Sequence, residues 1–321
     1  MLIVRVPYRI SFFGGGTDYP DYFTKYGGEV ISTTIDKYCY LTVRELPPFF
    51  EHKHHIVYST IEAVRDIDEI HHPSVRECLR HMNLDKGLEI HHDGDLPARS
   101  GIGSSSAFTV GLIHALYTMQ GKEISKLKLA DEAIYIEQKV IKESVGCQDQ
   151  IATAFGGLNH ITFNKDCSYE VNQVPCDYEL LQNHLMLVFT GFPHMANDIA
   201  KTYEFDNSGL HKMKDMVSDA KELLLDGDIE SFGELLGHSW SIKKQLSPQI
   251  STPYIDYVYE RAIKAGAYGG KLIGAGGGGF MLFVAHPDNQ DKIKEALKGL
   301  LFVPFKFENK GSQIVFSNGV A

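Results

Sequence analysis

Apolar residues recur at three- and four-residue intervals through two central stretches of the chain. Val110, Leu112, Ile113, Leu116 and Met119 follow a run of small hydroxyl residues and predict a helix over Ser104–Met119, starting just behind a glycine turn. Leu129, Ala133, Ile136 and Val140 form a second such stripe and predict a helix from Ser125 to about Lys142, with Glu137 one position from the stripe. Glu143 to Leu158 reads as turn, its glycines ending the helix before Gly146. Alternating or β-branched runs predict strands at Leu2–Ser11, Tyr38–Arg44, His52–Tyr58, Leu185–Phe189, Phe280–Ala285, Phe302–Phe307 and Gln313–Phe316. Further helices are expected over Pro73–Met82, Asn197–Leu225, Asp228–Lys244, Thr252–Ala265 and Asp288–Leu297. Thr252 caps its helix, Pro253 opens it and Gly266 closes it. The mixture indicates an α+β protein. Its expected domains are 1–180 and 181–321, the last strand returning to the first domain.

At 321 residues and 43% hydrophobic the chain buries a large core. Thirty-one basic against 41 acidic side chains leave a net charge of −10, which argues against broad nucleic-acid or anionic-membrane binding. No apolar run approaches the roughly 20 residues of a membrane span. Five cysteines, odd in number and without a CxxC pair, indicate neither a disulfide framework nor a thiolate zinc site. The expectation is a soluble protein of the reducing cytoplasm.

Glycine loops carry the chemistry. In the segment from Pro97 through Arg99, Ser100, Gly101, Ile102, Gly103, Ser104, Ser105 and Ser106 to Ala107, a flexible turn opens directly into an apolar helix. Unpaired N–H groups at a helix start suit phosphate, and serine hydroxyls suit phosphate or a metal bridging phosphates; an ordinary serine-capped turn uses the same residues. A second cluster runs from Gly269 to Gly279. Its Gly274, Gly276 and Gly279 satisfy a bare G-x-G-x-x-G pattern, yet it precedes a strand-like run where a dinucleotide fingerprint opens a helix. Neither loop ends in the Gly-Lys-Ser/Thr of a Walker ATPase. Gly14, Gly15, Gly16, Thr17, Asp18 and Tyr19 form a third loop, whose hydroxyl, carboxylate and ring suit a polyhydroxylated ligand or a plain surface turn.

Glu137 with Ser105 or Ser106 offers oxygen ligands for Mg2+ if the two helices converge. Asp149 is a candidate to orient or deprotonate a hydroxyl, and Arg9 to balance phosphate charge or keep Asp149 ionised. Eight histidines fall between His52 and His92, but neighbours on a strand point apart and no HExxH pattern occurs, so zinc is disfavoured.

In order and spacing, the segments Pro7 to Tyr19, Pro97 to Ala107 and Lys271 to Gly279 resemble the three motifs of the galactokinase, homoserine kinase, mevalonate kinase and phosphomevalonate kinase (GHMP) superfamily. The resemblance implies a ribosomal-protein-like amino-terminal domain, a ferredoxin-like carboxyl-terminal domain, and ATP with Mg2+ as cofactors. It implies nucleotide phosphates on Pro97 and Ser100 to Ser106, Mg2+ on Ser106 and Glu137, and catalysis by Asp149 and Arg9. Substrate would lie along Gly15 to Tyr19 and Gly276, Gly277 and Gly278. Galactokinases carry Gly-Glu-His-Thr-Asp-Tyr where this chain has Gly14-Gly15-Gly16-Thr17-Asp18-Tyr19, which weakens a galactose assignment. The implied reaction is transfer of the ATP γ-phosphate to the anomeric C1 hydroxyl of a heptose 7-phosphate, for nucleotide-heptose and surface-polysaccharide synthesis. A fucokinase-like kinase of a free sugar and a non-catalytic sugar or nucleotide binder are the alternatives. A phosphorylated sugar needs a cationic partner, for which Arg99, Lys201 and Lys271 are candidates. An oligomer is compatible with the sequence.

Overall fold

The computed structural model describes residues 1–84, 86–191 and 207–318. The predicted helix at Asn197–Leu225 therefore has its first ten residues outside the described ones; its remainder is seen as a helix over Asn207–Asp226.

The large sheet grows from two long strands. β1 (Leu2–Phe13) and β2 (Gly28–Glu45) pair antiparallel, with Arg9 opposite Thr34. The rest of the sheet is β3 (His54–Val57), β4 (Ile61–Val64), β5 (Leu88–Gly94), β6 (Asn159–Phe163), β7 (Tyr169–Gln173) and β12 (Gln313–Ser317). The order runs β12-β1-β2-β5-β3-β4, with β6 on β2 and β7 on β6. Only the β3–β5 pairing is parallel among the described ladders. The carboxyl-terminal strand pairs with the amino-terminal one, Leu2 opposite Ser317.

Helices pack on this sheet. α1 (Pro20–Tyr26) and α2 (Pro73–His81) both open on proline, whose missing N–H costs nothing at a helix start. α3 has the predicted bounds, Ser104–Met119, and is apolar nearly all round because it lies on β1 and β2 beneath other helices. A Cβ on Gly111 would stand 2.8 Å from Val6, so glycine sets how closely α3 approaches the sheet. α4 (Lys126–Tyr135) and α5 (Gln148–Phe155) pack beside it.

The smaller sheet has the order β11-β8-β10-β9, built from β8 (Leu185–Phe189), β9 (Ala267–Leu272), β10 (Phe280–Ala285) and β11 (Leu301–Val303). After α6 (Tyr178–Asn183), α7 (Asn207–Asp226), α8 (Ile229–Gln245), α9 (Pro253–Lys264) and α10 (Pro287–Ala296) complete the described helices. α7 and α8 also reach the first sheet, where Phe232 of α8 meets Phe12 and Phe13 edge-on at 5.7 and 5.3 Å.

Several elements depart from expectation: α1, β4, β5 and α6 stand where none is expected, β2 begins at Gly28 and not Tyr38, and the strand expected over Phe302–Phe307 is β11, ending at Val303, with Phe307 in an isolated bridge to Ile35. α5 lies in the stretch expected as turn, and the β6–β7 hairpin where no strand is expected, because both are short and flanked by polar or glycine residues, too brief to display a period. β9 was masked in the same way by its paired glycines. The second glycine cluster consequently links two antiparallel strands, β9 and β10.

That loop interlocks with the one before α3. A Cβ on Gly274 (φ +81) would fall 2.3 Å from the Gly101 Cα, and one on Gly101 (φ +84) would fall 2.2 Å from the Ile273 carbonyl oxygen. Gly274→Ala is expected to lose about 2–4 kcal/mol through left-handed strain plus overpacking. Gly121→Ala, at φ +68 with nothing within 4 Å, should lose only the strain, about 1–2 kcal/mol. Urea midpoints of the two variants measure the difference, and equal midpoints would refute the backbone contact.

Candidate active site

Arg9 stands near the end of β1, only 4% exposed. Its Nε donates to Asp149 Oδ1 at 2.7 Å and its Nη2 to Asp149 Oδ2 at 2.9 Å, a planar fork on a planar carboxylate. Its Nη1 donates to the Gly101 carbonyl, and its own backbone N–H donates to Ile102 O at 3.0 Å. One residue therefore ties the strand, the Pro97–Gly103 loop and the first turn of α5 together. Asp149 keeps a partly exposed side chain.

The loop itself is held by Ser100, whose buried hydroxyl donates to Pro97 O at 2.6 Å. Gly103 precedes α3 at φ +73, and a Cβ there would crowd Arg9 Cγ and Asp149 Oδ2 at 3.2 and 3.3 Å. No side chain caps α3. Its opening N–H groups, on Ser104, Ser105 and Ser106, are the donors that an anion would meet. Ser104 Oγ accepts from Arg99 N, Ser105 is exposed and Ser106 turns inward.

Ser106 Oγ donates to Glu137 Oε2 at 2.9 Å, so the hydroxyl and carboxylate paired on sequence grounds do converge. Gln150 Nε2 donates to the same oxygen. Glu137 is fully buried, and burial pushes its carboxyl up to about 7 against the hydrogen bonds it receives. Its Oε1 is buried with no hydrogen-bond partner among the described residues. An orphaned carboxylate oxygen beside a serine hydroxyl is a donor set that fits Mg2+. Glu137 lies at the start of a wider π turn, Ile136–Ile141, which replaces the last turns of the expected α-helix. Lys142 closes the turn at φ +63.

The Gly14–Tyr19 loop lies alongside. Asp18 is 1% exposed; Oδ1 accepts from Gly16 N at 2.9 Å and Oδ2 from Gln148 N at 3.2 Å. Burial, then the charge of Asp149, raises its carboxyl above the ordinary range. Gly146 is required beneath it, since a Cβ would meet Asp18 Oδ2 at 1.8 Å. Thr17 corrects the expectation of a sugar ligand. Its hydroxyl is fully buried, its one proton shared between Gly14 O and Glu29 O at 2.8 and 2.9 Å while the oxygen accepts from Glu29 N, which locks the turn onto β2. Gly15 and Gly16 are half-buried, and Tyr19 starts α1 by accepting from Tyr22 N and Phe23 N.

The third motif is likewise committed inward. Gly276, at φ +129, packs on the Ile250 backbone, and Gly277 N donates to Ile250 O at 3.0 Å, so that N–H is not presented to a substrate. Gly278 is buried at φ +155. Lys271, a candidate partner for a distal phosphate, is 2% exposed and its Nζ donates to Phe12 O at 2.7 Å, across to β1. Arg99 is exposed on the loop at φ +59. Lys201 lies outside the described residues.

One charged group went unread in the sequence. Lys243 of α8 is 6% exposed and donates to the Gly274 carbonyl. Burial, then the neighbouring Arg9 charge, lowers its ammonium to about 8, while Asp18 opposes the shift. Its signal was positional: it continues the buried face of Phe232, Leu236, Ser239 and Trp240.

Comparison with known proteins follows the same outline. Residues 63–157 match the GHMP kinases N terminal domain, and residues 220–301 match the GHMP kinases C terminal domain. D-glycero-alpha-D-manno-heptose 7-phosphate kinase of Campylobacter jejuni is 30% identical over 315 residues, covering 92% of each chain. The bifunctional fucokinase/GDP-fucose pyrophosphorylase of Arabidopsis thaliana is 26% identical over 65% of this chain and 21% of its own length. Among solved structures, a D-glycero-D-manno-heptose 1-phosphate kinase from Bacteroides thetaiotaomicron superposes with a TM-score of 0.82 at 25% identity, covering 99% of this chain and 100% of that one. Galactokinase of Lactococcus lactis shares the fold, with a TM-score of 0.75 at 20% identity over 97% and 94% of the two chains.

The Glu137 environment gives a pH signature. Its carboxyl ordinarily titrates at 4.5 and in the fold at about 7, so between these values the native protein holds the extra proton. Stability from this group is full below 4.5 and is lost as pH rises through about 7. Without divalent ions, urea unfolding across that window should show wild type losing roughly 3 kcal/mol relative to Glu137→Gln. Parallel pH profiles would contradict a buried, metal-free carboxylate.

Proposed function

We propose, for a chain that belongs to the GHMP kinase family, that this ATP-dependent sugar kinase phosphorylates the anomeric C1 hydroxyl of D-glycero-D-manno-heptose 7-phosphate to give the 1,7-bisphosphate. The observation that carries the reading is the Arg9–Asp149 fork at the mouth of the α3 phosphate loop. It sets a carboxylate beside an anion-binding helix start, the arrangement that transfer from a nucleotide to a hydroxyl requires. The heptose phosphate is supported by the name of the Campylobacter jejuni relative and by the Bacteroides thetaiotaomicron structure, also named for a heptose phosphate.

The nucleotide phosphates lie against the N–H groups of Ser104 to Ser106 and the loop from Pro97 to Gly103, where glycines admit close approach. Ser106 and Glu137 would hold Mg2+, which when bound neutralises charge on the phosphate oxygens. Asp149 accepts the proton of the C1 hydroxyl as its oxygen bonds to the γ-phosphorus; the bond to the bridging oxygen breaks and ADP leaves. The proton then passes from Asp149 to water. Arg9 orients the carboxylate through two bonds and adds positive charge near the transferred group. Asp18 and Gln148 shape the adjoining wall. The substrate and this assignment of roles account together for a carboxylate pair that the fold keeps close at the cost of raising Asp18.

Asp149→Asn is expected to lower kcat by roughly 10^2 to 10^4 with the ATP KM changed only a few-fold. The assay is ADP release over a panel of phosphorylated heptoses and free sugars, with NMR assignment of the phosphorylated carbon. Preference for a free sugar such as fucose overturns the heptose-phosphate reading, and near-wild-type turnover by Asp149→Asn overturns the role of the base.

A further inference from the structure

On the large sheet, away from the α3 loop, two histidines and one carboxylate from neighbouring strands face a common point. Side chains alternate along a strand, so His54 turns into the core while His55 turns outward, and Glu89 and His91 share the outer face of β5 two residues apart. The parallel register sets His55 directly beside Glu89. Adjacent histidines on one strand do point apart, which is the ground on which the sequence disfavours zinc; the spacing that brings donors together runs across the ladder. His55 Nδ1 lies 3.2 Å and His91 Nε2 2.9 Å from the same oxygen, Glu89 Oε1. The three ligand atoms all lie within 4.8 Å of one another.

We propose that His55, Glu89 and His91 form a binding site for a divalent zinc-class transition-metal ion that fastens the edge hairpin β3–β4 to β5. Two imidazole nitrogens and a carboxylate oxygen are a recurrent zinc donor set, with water filling the remaining position. The His52 ring, centred 5.4 Å from that of His55, supplies a further imidazole at the rim. Strand backbones hold the three donors, so little side-chain order has to be gained on binding. Neutral imidazoles bind by moving their N–H to the other ring nitrogen, with no net proton change.

Arg44 decides the strength. Its guanidinium, on β2 opposite Glu89 in the register, holds Glu89 Oε2 and so aims Oε1 at the histidines. The same positive charge repels an incoming cation. An ion at this site is therefore bound more tightly when Arg44 is neutral, a behaviour that casual binding elsewhere on the surface does not share.

The full chain is dialysed against Zn2+ in the presence of reductant and excess Mg2+, which prefers an all-oxygen octahedral shell and does not compete. One equivalent should bind and raise Tm. His55→Ala and His91→Ala should each weaken binding by roughly tenfold or more, the double variant should lose it, and Arg44→Gln, which removes the charge but leaves an amide able to hold Glu89 Oε2, should tighten it. The Co2+ form should show the visible bands of a tetrahedral nitrogen and oxygen shell, without the sulfur charge transfer of a cysteine site. Far-UV circular dichroism checks that the double variant is folded. Undiminished zinc binding by the folded double variant, displacement by Mg2+, or no effect of Arg44→Gln on affinity would overturn the site.

Discussion

A buried guanidinium has to be paired, and Arg9 has three obligations inside the protein. Its fork on Asp149 takes two of its donors, and the Gly101 carbonyl takes another. Losing any one partner leaves charge without water or counter-charge in a nearly closed environment, which costs far more than a surface pair yields. The loop before α3, the entrance of α5 and the end of β1 consequently cannot shift independently. The geometry of the reacting groups is a by-product of satisfying one charge.

The second constraint is steric. Gly101 and Gly274 bring two loops together at backbone separation, and Gly279 does the same against Ser100, where a Cβ would lie 2.4 Å from its carbonyl oxygen. Glycine clusters carry an entropic cost, so their use here is explained by contact between the two halves of the molecule. Lys271 bridges the halves by donating to the Phe12 carbonyl, and Lys243 holds the Gly274 carbonyl within its own half. Both ammonium groups are buried among other cations, and Lys271 is held well below the ordinary lysine range by burial and then by Lys243 and Arg9. The Phe12 and Gly274 carbonyls accept from these side chains, and Asp18 opposes the shift of Lys243.

Glu137 sits where a local irregularity begins. It is reached at α-helical dihedrals through Tyr135 and Ile136, and its carboxylate accepts from Ser106 and Gln150 in a place where an unpaired oxygen is costly unless something binds there. Stability and binding are thus opposed at one side chain.

The chain's own pattern was sufficient for much of the architecture. α3 appears with the bounds its period predicts, the capped helix after Thr252 starts on Pro253, and β10 spans Phe280–Ala285, because each is long or well punctuated enough for local preferences to agree with packing. The motif segments placed Arg9 and Ser106 in the candidate set, and the helix stripe and the stretch after it placed Glu137 and Asp149 there. Sequence could not convey that the Thr17 hydroxyl is spent on β2, that Lys271 points across to β1, or that Lys243 belongs to the centre at all. Those outcomes depend on which face of an element meets which neighbour, a matter of contacts between residues up to 259 positions apart, as for Lys271 and Phe12. A period along the chain reports one face of one element; only the folded chain decides what that face touches and which polar atoms it leaves unsatisfied.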